Sequence, residues 1–290
     1  MVANTDPARA RARRRASGRT MLKIMFLNIF EGCREDDRLG LIAEYVGRRE
    51  PDVLGVAELC GWRDCGRARM RHFADLTGLR HWVLCESRST FDVGLLARRP
   101  LGPRITLREG VSNGLLLAEV PLENAEPIAV MVLHLSPGDE DTRRRELDAV
   151  ASHALGRDRL VVMGDMNALS PSDLAEYRRA EVFSRVRAAG HTKYGTEHLR
   201  TDAMAYVLGF GLVDAVRVMR GDGPFVPSVP TPFSRDPHHN VAEVRLDYIL
   251  VSADLAQRVI DARIDASRDT DRLSDHRPVL ATLDLVPASA

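Results

Sequence analysis

Eight short apolar runs punctuate this chain, at 22–28, 53–58, 93–97, 115–120, 128–134, 160–163, 244–251 and 279–285. Helical periodicity fills much of what lies between them. Leu39, Ile42, Ala43 and Val46 share one helix face that Pro51 terminates, and Leu147, Val150, Ala151 and Ala154 share another. Strands and helices that alternate through a whole chain predict one α/β domain rather than a string of small ones. The stretch 171–209 reads as a polar, mainly helical insert with a loop around Gly190–Gly195, and residues 221–240, with five prolines, read as a long loop.

Several of these runs carry a polar side chain at one end. Asn28, Glu58 and His134 close their runs, Asp165 and Asn167 follow 160–163, Asp247 lies within 244–251, and Asp275-His276 leads into 279–285. Open α/β sheets place their ligand sites at strand ends, where a rigid backbone fixes each side chain. Hard carboxylate and amide oxygens with few soft ligands suit Mg²⁺ or Mn²⁺ better than zinc. Asp275 beside His276 can share a metal or a proton. The spacing therefore predicts a hydrolytic metal site.

Composition limits the partners. The 290 residues hold 41 basic and 41 acidic side chains, so no net charge draws the protein to nucleic acid or to an anionic membrane. A locally basic cleft stays compatible with that balance. Lys23 and Lys193 are the only lysines; the other basic residues are arginine, which reflects either coding bias or bidentate phosphate recognition. No apolar run approaches the ~20 residues of a membrane span. Cys33, Cys60, Cys65 and Cys85 lack C-x-x-C spacing, which predicts reduced thiols in a cytoplasmic protein; zinc binding by Cys60 and Cys65 with His72 or His81 is the alternative. Residues 1–20, with arginines between Arg9 and Arg19 and no following hydrophobic segment, read as a disordered tail or a nucleic-acid arm ahead of a catalytic domain at 21–290.

In order along the chain, these blocks resemble the endonuclease/exonuclease/phosphatase superfamily, which includes DNase I-like and exonuclease III-like enzymes. Asn28 resembles the family's first-strand asparagine, and 51–58 its metal-glutamate motif. Gly94–Leu101 is similar to its strand ending in R-x-P, and His134-Leu135 to its His-Leu motif. Gly164-Asp165-Met166-Asn167, Arg245–Ile249 and Ser274–Pro278 resemble its last three blocks. The resemblance spans roughly 21–285. It implies a four-layer α/β sandwich, two packed mixed β-sheets flanked by helices, and Mg²⁺-dependent hydrolysis of a phosphate mono- or diester.

The resemblance also implies roles. Glu58 would be the principal metal ligand, with Asn28 and Asp275 completing or supporting the site. Asp165 would orient or deprotonate the attacking water, and Asn167 would hold a phosphate oxygen. His276, polarised by Asp247, would act as general base or electrostatic clamp, and His134 as a second acid or phosphate contact. Arg143 on the helix after His134, and Arg88, are candidate substrate contacts. Ala57 stands where the family often has glutamine. The family's mid-chain tyrosine has no clear counterpart; Glu86 or Arg88 occupies that region, and Glu86 is a candidate partner for His134.

Plainer readings stand beside these. Asp247 could pair with Arg245, His134 could be a core histidine, Asn28 could brace Glu58 by a hydrogen bond, and Asp214 reads as a helix N-cap. Charge neutrality favours a small or lipid-like phosphoester, with a nuclease on DNA or RNA as the alternative. A non-hydrolytic metal enzyme of secondary metabolism and a noncatalytic binding module are the readings from other classes. Oligomeric state has no signature in the sequence.

Overall fold

The apolar runs become strands in the computed structural model, which describes residues 20–233 and 241–285. One mixed sheet takes β1 (Thr20–Asn28), β2 (Val53–Ala57), β3 (His81–Cys85), β4 (Val93–Ala97), β11 (Val259–Ile264) and β12 (Val279–Leu285), in the order β11-β12-β1-β2-β4-β3. The other takes β5 (Arg104–Leu107), β6 (Leu115–Val120), β7 (Ile128–His134), β8 (Leu160–Asp165), β9 (Leu212–Asp214) and β10 (Asp247–Ser252), in the order β5-β6-β7-β8-β10-β9. Apart from Thr20, the segment expected to form a tail lies outside the described residues, as does the 234–240 part of the long loop.

Two-residue periodicity builds the layers. Ile24 and Phe26 of β1 face the second sheet and pack with Val130, Val161, Met163 and Ile249. Their neighbours Met25 and Leu27 point the other way, onto Ile42 and Val46 of the helix Asp36–Arg49 and Phe73 of the helix Ala68–Thr77. On the far side, Met131 and Val162 meet Leu147 and Val150 of the helix Glu140–Ala154, with Met204 and Val207 of the helix Asp202–Leu208. Helix, sheet, sheet, helix is the expected sandwich. Each fully buried Leu, Ile or Phe contributes about 1.5–3 kcal/mol relative to exposure.

Each sheet contains one parallel pair, β1 with β2 and β7 with β8, and the other strand pairings are antiparallel. Parallel neighbours release their C-terminal ends at the same edge. β7 and β8 approach so closely at Gly164 that an added Cβ would sit 2.0 Å from the Leu133 carbonyl oxygen. That contact explains the glycine ahead of Asp165.

The insert folds into a short 3₁₀ turn, Pro171–Asp173, and the helices Leu174–Arg179 and Val182–Ala188. Tyr177, Val182, Val186 and Tyr194 form a satellite core with Val229, Val244 and Leu246. Buried Arg245 fastens it: its Nη2 lies 2.7 Å from Asp173 Oδ2, and its Nη1 pairs with Asp214. Asp214 also caps the helix Ala215–Arg220, accepting from the Val216 and Arg217 amides at 3.0 and 3.3 Å. No helix among the described residues is long and apolar enough to cross a membrane.

Candidate active site

Register gathers the polar strand ends. Asn28 is paired with Ala57 across β1 and β2, which puts Glu58 at the next step along the same edge. In the second sheet His134 is paired with Asp165 across β7 and β8, and Asp165 with Asp247 across β8 and β10. Both sets open at one edge of the sandwich, and the loop before β12 adds Asp275 and His276. Glu58 (φ 61°) and Asn167 (φ 48°) hold left-handed backbone conformations that non-glycine residues seldom adopt. Outliers of this kind cluster where geometry serves function.

Asn28 joins the two sheets. Its Nδ2 donates to Glu58 Oε1 at 2.9 Å and to Asp165 Oδ2 at 3.1 Å, while its Oδ1 accepts from the Phe30 amide at 3.0 Å. The amide therefore turns its nitrogen toward the carboxylates and braces them. Glu58 Oε2 accepts from the Glu31 amide at 2.8 Å. Asp165 Oδ1 accepts from the Asn167 amide at 2.9 Å, and its Oδ2 lies 3.7 Å from His134 Nε2 and 3.8 Å from His276 Nε2. His276 turns its other ring nitrogen to Asp247 Oδ2 at 2.8 Å. Asp247 thus serves His276, and Arg245 binds elsewhere.

Charge follows from these contacts. Burial pushes the Asp165 carboxyl up, but His276, His134 and Lys193 together hold it below the ordinary range, so it is ionised. Burial opposes charging His276, yet Asp247, Asp275 and Asp165 hold its imidazolium well above the usual histidine range. Burial in turn lifts Asp247 against the pull of His276, so the pair keeps one proton between Nδ1 and Oδ2. Asp275, with Ser274 Oγ 3.2 Å from its Oδ1, is raised by burial, with His276 opposing and Glu58 adding to the rise.

The donor set fits a divalent cation. Glu58, His134 and Asp165 bring ligand atoms within 4.8 Å of one another, as do Asp165, Asp247 and His276. Glu58, Asp165, Asp247 and Asp275 bring four carboxylates to this edge, and imidazolium and lysine charges offset only part of them. Buried Asp247 Oδ1 and His134 Nδ1 have no hydrogen-bond partner. Among the described residues the potential metal clusters contain no cysteine.

Some expectations change. Arg143 is completely buried and spends its guanidinium on Glu140 Oε2, the Ser136 and Gly138 carbonyls and the Lys193 carbonyl. It anchors backbone and has no donor aimed at a substrate. Arg88 is exposed and lines an open cavity of about 420 Å³ with Ser89, Gly110, Val111, Ser112 and Glu146, none of them a member of the carboxylate–imidazole group. Glu86 pairs with Arg67 at 2.9 Å, and His134 instead meets the edge of Phe91, ring centroids 6.2 Å apart.

Lys193 was not among the site residues expected from sequence. Its Nζ donates to Asn167 Oδ1 at 2.5 Å. Burial lowers its pKa to about 8 and Arg143 adds to the fall, while Asp165, Asp247 and Glu58 oppose it. The available signal was its rarity, one of two lysines in a chain that otherwise uses arginine.

Similarity agrees with the geometry. Residues 25–276 match the family model described as the Endonuclease/Exonuclease/phosphatase family. The chain belongs to that family. Its members are hydrolases acting on phosphoester bonds. An AP endonuclease from Archaeoglobus fulgidus shares the fold with a TM-score of 0.67 at 20% identity, covering 91% of this chain and 100% of the other. The 3'-5' exonuclease NExo from Neisseria meningitidis aligns with a TM-score of 0.66 at 19% identity, covering 91% and 100%. ANGEL2, a 2',3'-cyclic phosphatase, aligns at 0.62 and 17% identity, covering 93% and 96%. No curated protein matches the sequence.

Proposed function

We propose that residues 21–290 act as one catalytic domain, a Mg²⁺-dependent phosphoesterase that splits a phosphate mono- or diester by attack of water. The observation that carries this reading is Asp165 Oδ2, flanked by two imidazole nitrogens at 3.7 and 3.8 Å beside Glu58. Glu58 would hold the ion, with Asp275 near it and Asn28 bracing; Mn²⁺ suits the same oxygen donors. A divalent cation there neutralises phosphate charge and stabilises the departing oxygen.

The protein groups supply the remainder. Asp165 orients the attacking water and accepts its proton as the new phosphorus–oxygen bond forms and the ester bond breaks. His276, kept protonated by Asp247, clamps a phosphoryl oxygen through Nε2. His134 Nε2 contacts the phosphate or protonates the leaving oxygen. Asn167 Nδ2 gives one hydrogen to the Leu135 carbonyl at 2.9 Å and keeps a second for a phosphoryl oxygen.

A nuclease is the second reading, favoured by half-buried aromatic side chains beside the site. Phe91 stands edge-on to His134, and Phe30 packs on Phe233 with centroids 5.9 Å apart. Aromatic faces of this kind can stack a base. The test is a panel of phosphomonoesters, phosphodiesters, lipid-like esters, DNA and RNA given to the purified chain with Mg²⁺. Preference for small or lipid-like esters supports the first reading and preference for polynucleotides the second. Substrate conversion without hydrolysis of an ester overturns both.

A further inference from the structure

We propose that Lys193 is a substrate-contacting residue of this site, an ammonium that binds a phosphoryl oxygen while fixing the orientation of the Asn167 amide. The proposal deepens the phosphoesterase reading and rests on it for the nature of the ligand.

Three observations lead to it. Asn167 is held at both ends, Oδ1 by Lys193 Nζ at 2.5 Å and Nδ2 by the Leu135 carbonyl at 2.9 Å. With the amide so fixed, its second N–H has one direction left. The Leu135 carbonyl selects the nitrogen end, and Lys193 reinforces that choice from the Oδ1 side.

The second observation is the poor match between Lys193 and its partner. A half-buried ammonium carries three donors, and among the described residues its hydrogen-bond acceptor is one neutral amide oxygen. Among the described residues Lys193 forms no ion pair within 4 Å, although Asp165, Asp247 and Glu58 all act on it through space. Such a cation, close to the catalytic carboxylates yet bonded to none of them, suits an anion that arrives from solution. Nζ also lies over the Tyr194 ring, 5.3 Å from its centroid, while its hydrogen bond turns it to Asn167.

Third, the loop carrying Lys193 is built to stay in place. Fully buried Arg143 donates to the Lys193 carbonyl at 2.5 Å, Tyr194 is buried in the satellite core, and the Arg200 amide closes onto the Tyr194 carbonyl at 2.8 Å. At Gly195 (φ 116°) an added Cβ would lie 2.2 Å from the His198 carbonyl oxygen. Arg143 therefore serves the substrate at one remove, by holding the backbone of the residue that touches it.

The experiment is titration of inorganic phosphate into the full chain in the presence of Mg²⁺, followed by calorimetry. Lys193→Met is expected to weaken phosphate binding by about 10- to 100-fold, the value of one charge-assisted hydrogen bond. Lys193→Arg, which restores the charge, should recover part of that loss. A crystal of the unaltered protein soaked in phosphate should place an oxygen within hydrogen-bond distance of Nζ. This second measurement does not depend on how any variant folds. Unchanged affinity in Lys193→Met, phosphate seated at Arg88, or no phosphate binding to the unaltered protein would each overturn the proposal. Phosphate binding that needs Lys193 in a protein inert toward every ester would overturn the hydrolytic reading and leave this one standing.

Discussion

Asp165 Oδ2 and His276 Nε2 stand 3.8 Å apart, too far for a hydrogen bond and near enough for one oxygen atom to touch both. Asp165→Asn keeps the shape and removes the charge that would accept a proton from that oxygen. Turnover is expected to fall by about 10²- to 10⁴-fold, the range of a lost general base. Circular dichroism should show the fold unchanged. Full turnover in this variant would contradict the role given to Asp165.

Asp247→Asn tests the other face of His276. In the unaltered protein Asp247, Asp275 and Asp165 keep the imidazolium protonated well above the ordinary histidine range. Removing the charge 2.8 Å from Nδ1 should let His276 titrate closer to ~6.5, so the variant loses its imidazolium as pH rises through neutrality. A pH–rate profile is expected to show activity falling between about pH 6 and 8 in the variant only. Parallel profiles would sink the clamp.

Legibility of the fold divides along the sheets. The strands read from sequence are interior ones, whose continuous apolar runs are buried on both faces. The unread strands are β3, β5, β9 and β11, the four sheet edges. An edge strand faces solvent and needs no unbroken apolar run: Arg104–Leu107 is largely exposed, and Val259–Ile264 alternates buried with exposed. The carboxylates and imidazoles were legible for a related reason, since each sits at or beside an interior strand end. Lys193 was not, because its position depends on how the insert folds back, through Arg143 and Tyr194, over a strand nearly thirty residues earlier. Arg143 reads as a substrate contact because a guanidinium spent on Glu140 and on backbone carbonyls looks, in sequence, like one open to phosphate.

Stability should depend on the Arg245 anchor. Arg245→Met leaves Asp173 and Asp214 buried beside an apolar side chain, although Arg220 still pairs with Asp173 at 2.7 Å. The expected cost is about 3–5 kcal/mol, read by chemical denaturation. A change below about 1 kcal/mol would mean that the network is no anchor for the insert.

Away from the site, Asp265 accepts from Tyr45 Oη at 2.6 Å and from Arg49 at 2.5 Å. Burial raises this carboxyl, but hydrogen bonds from Tyr45 and Ser267, together with Arg49, bring it below the ordinary value. A depressed folded-state pKa stabilises above the unfolded value, ~3.9, and that contribution is lost as pH falls through the folded value. Asp265→Asn should therefore lower Tm at pH 7 and converge with the unaltered protein in acid. A Tm difference independent of pH would contradict the assignment.

The central claim is metal-assisted hydrolysis at the Glu58–Asp165–His276 edge, and metal dependence tests it most directly. The purified chain is to be stripped with EDTA, assayed on the best ester of the panel, and assayed again after Mg²⁺ is returned, alongside Glu58→Gln. The account predicts no turnover in EDTA, full recovery with Mg²⁺, and a Glu58→Gln variant that needs about tenfold more Mg²⁺ or more, the usual scale for an impaired ligand shell. Turnover that persists in EDTA, or a Mg²⁺ requirement unchanged by Glu58→Gln, would contradict it.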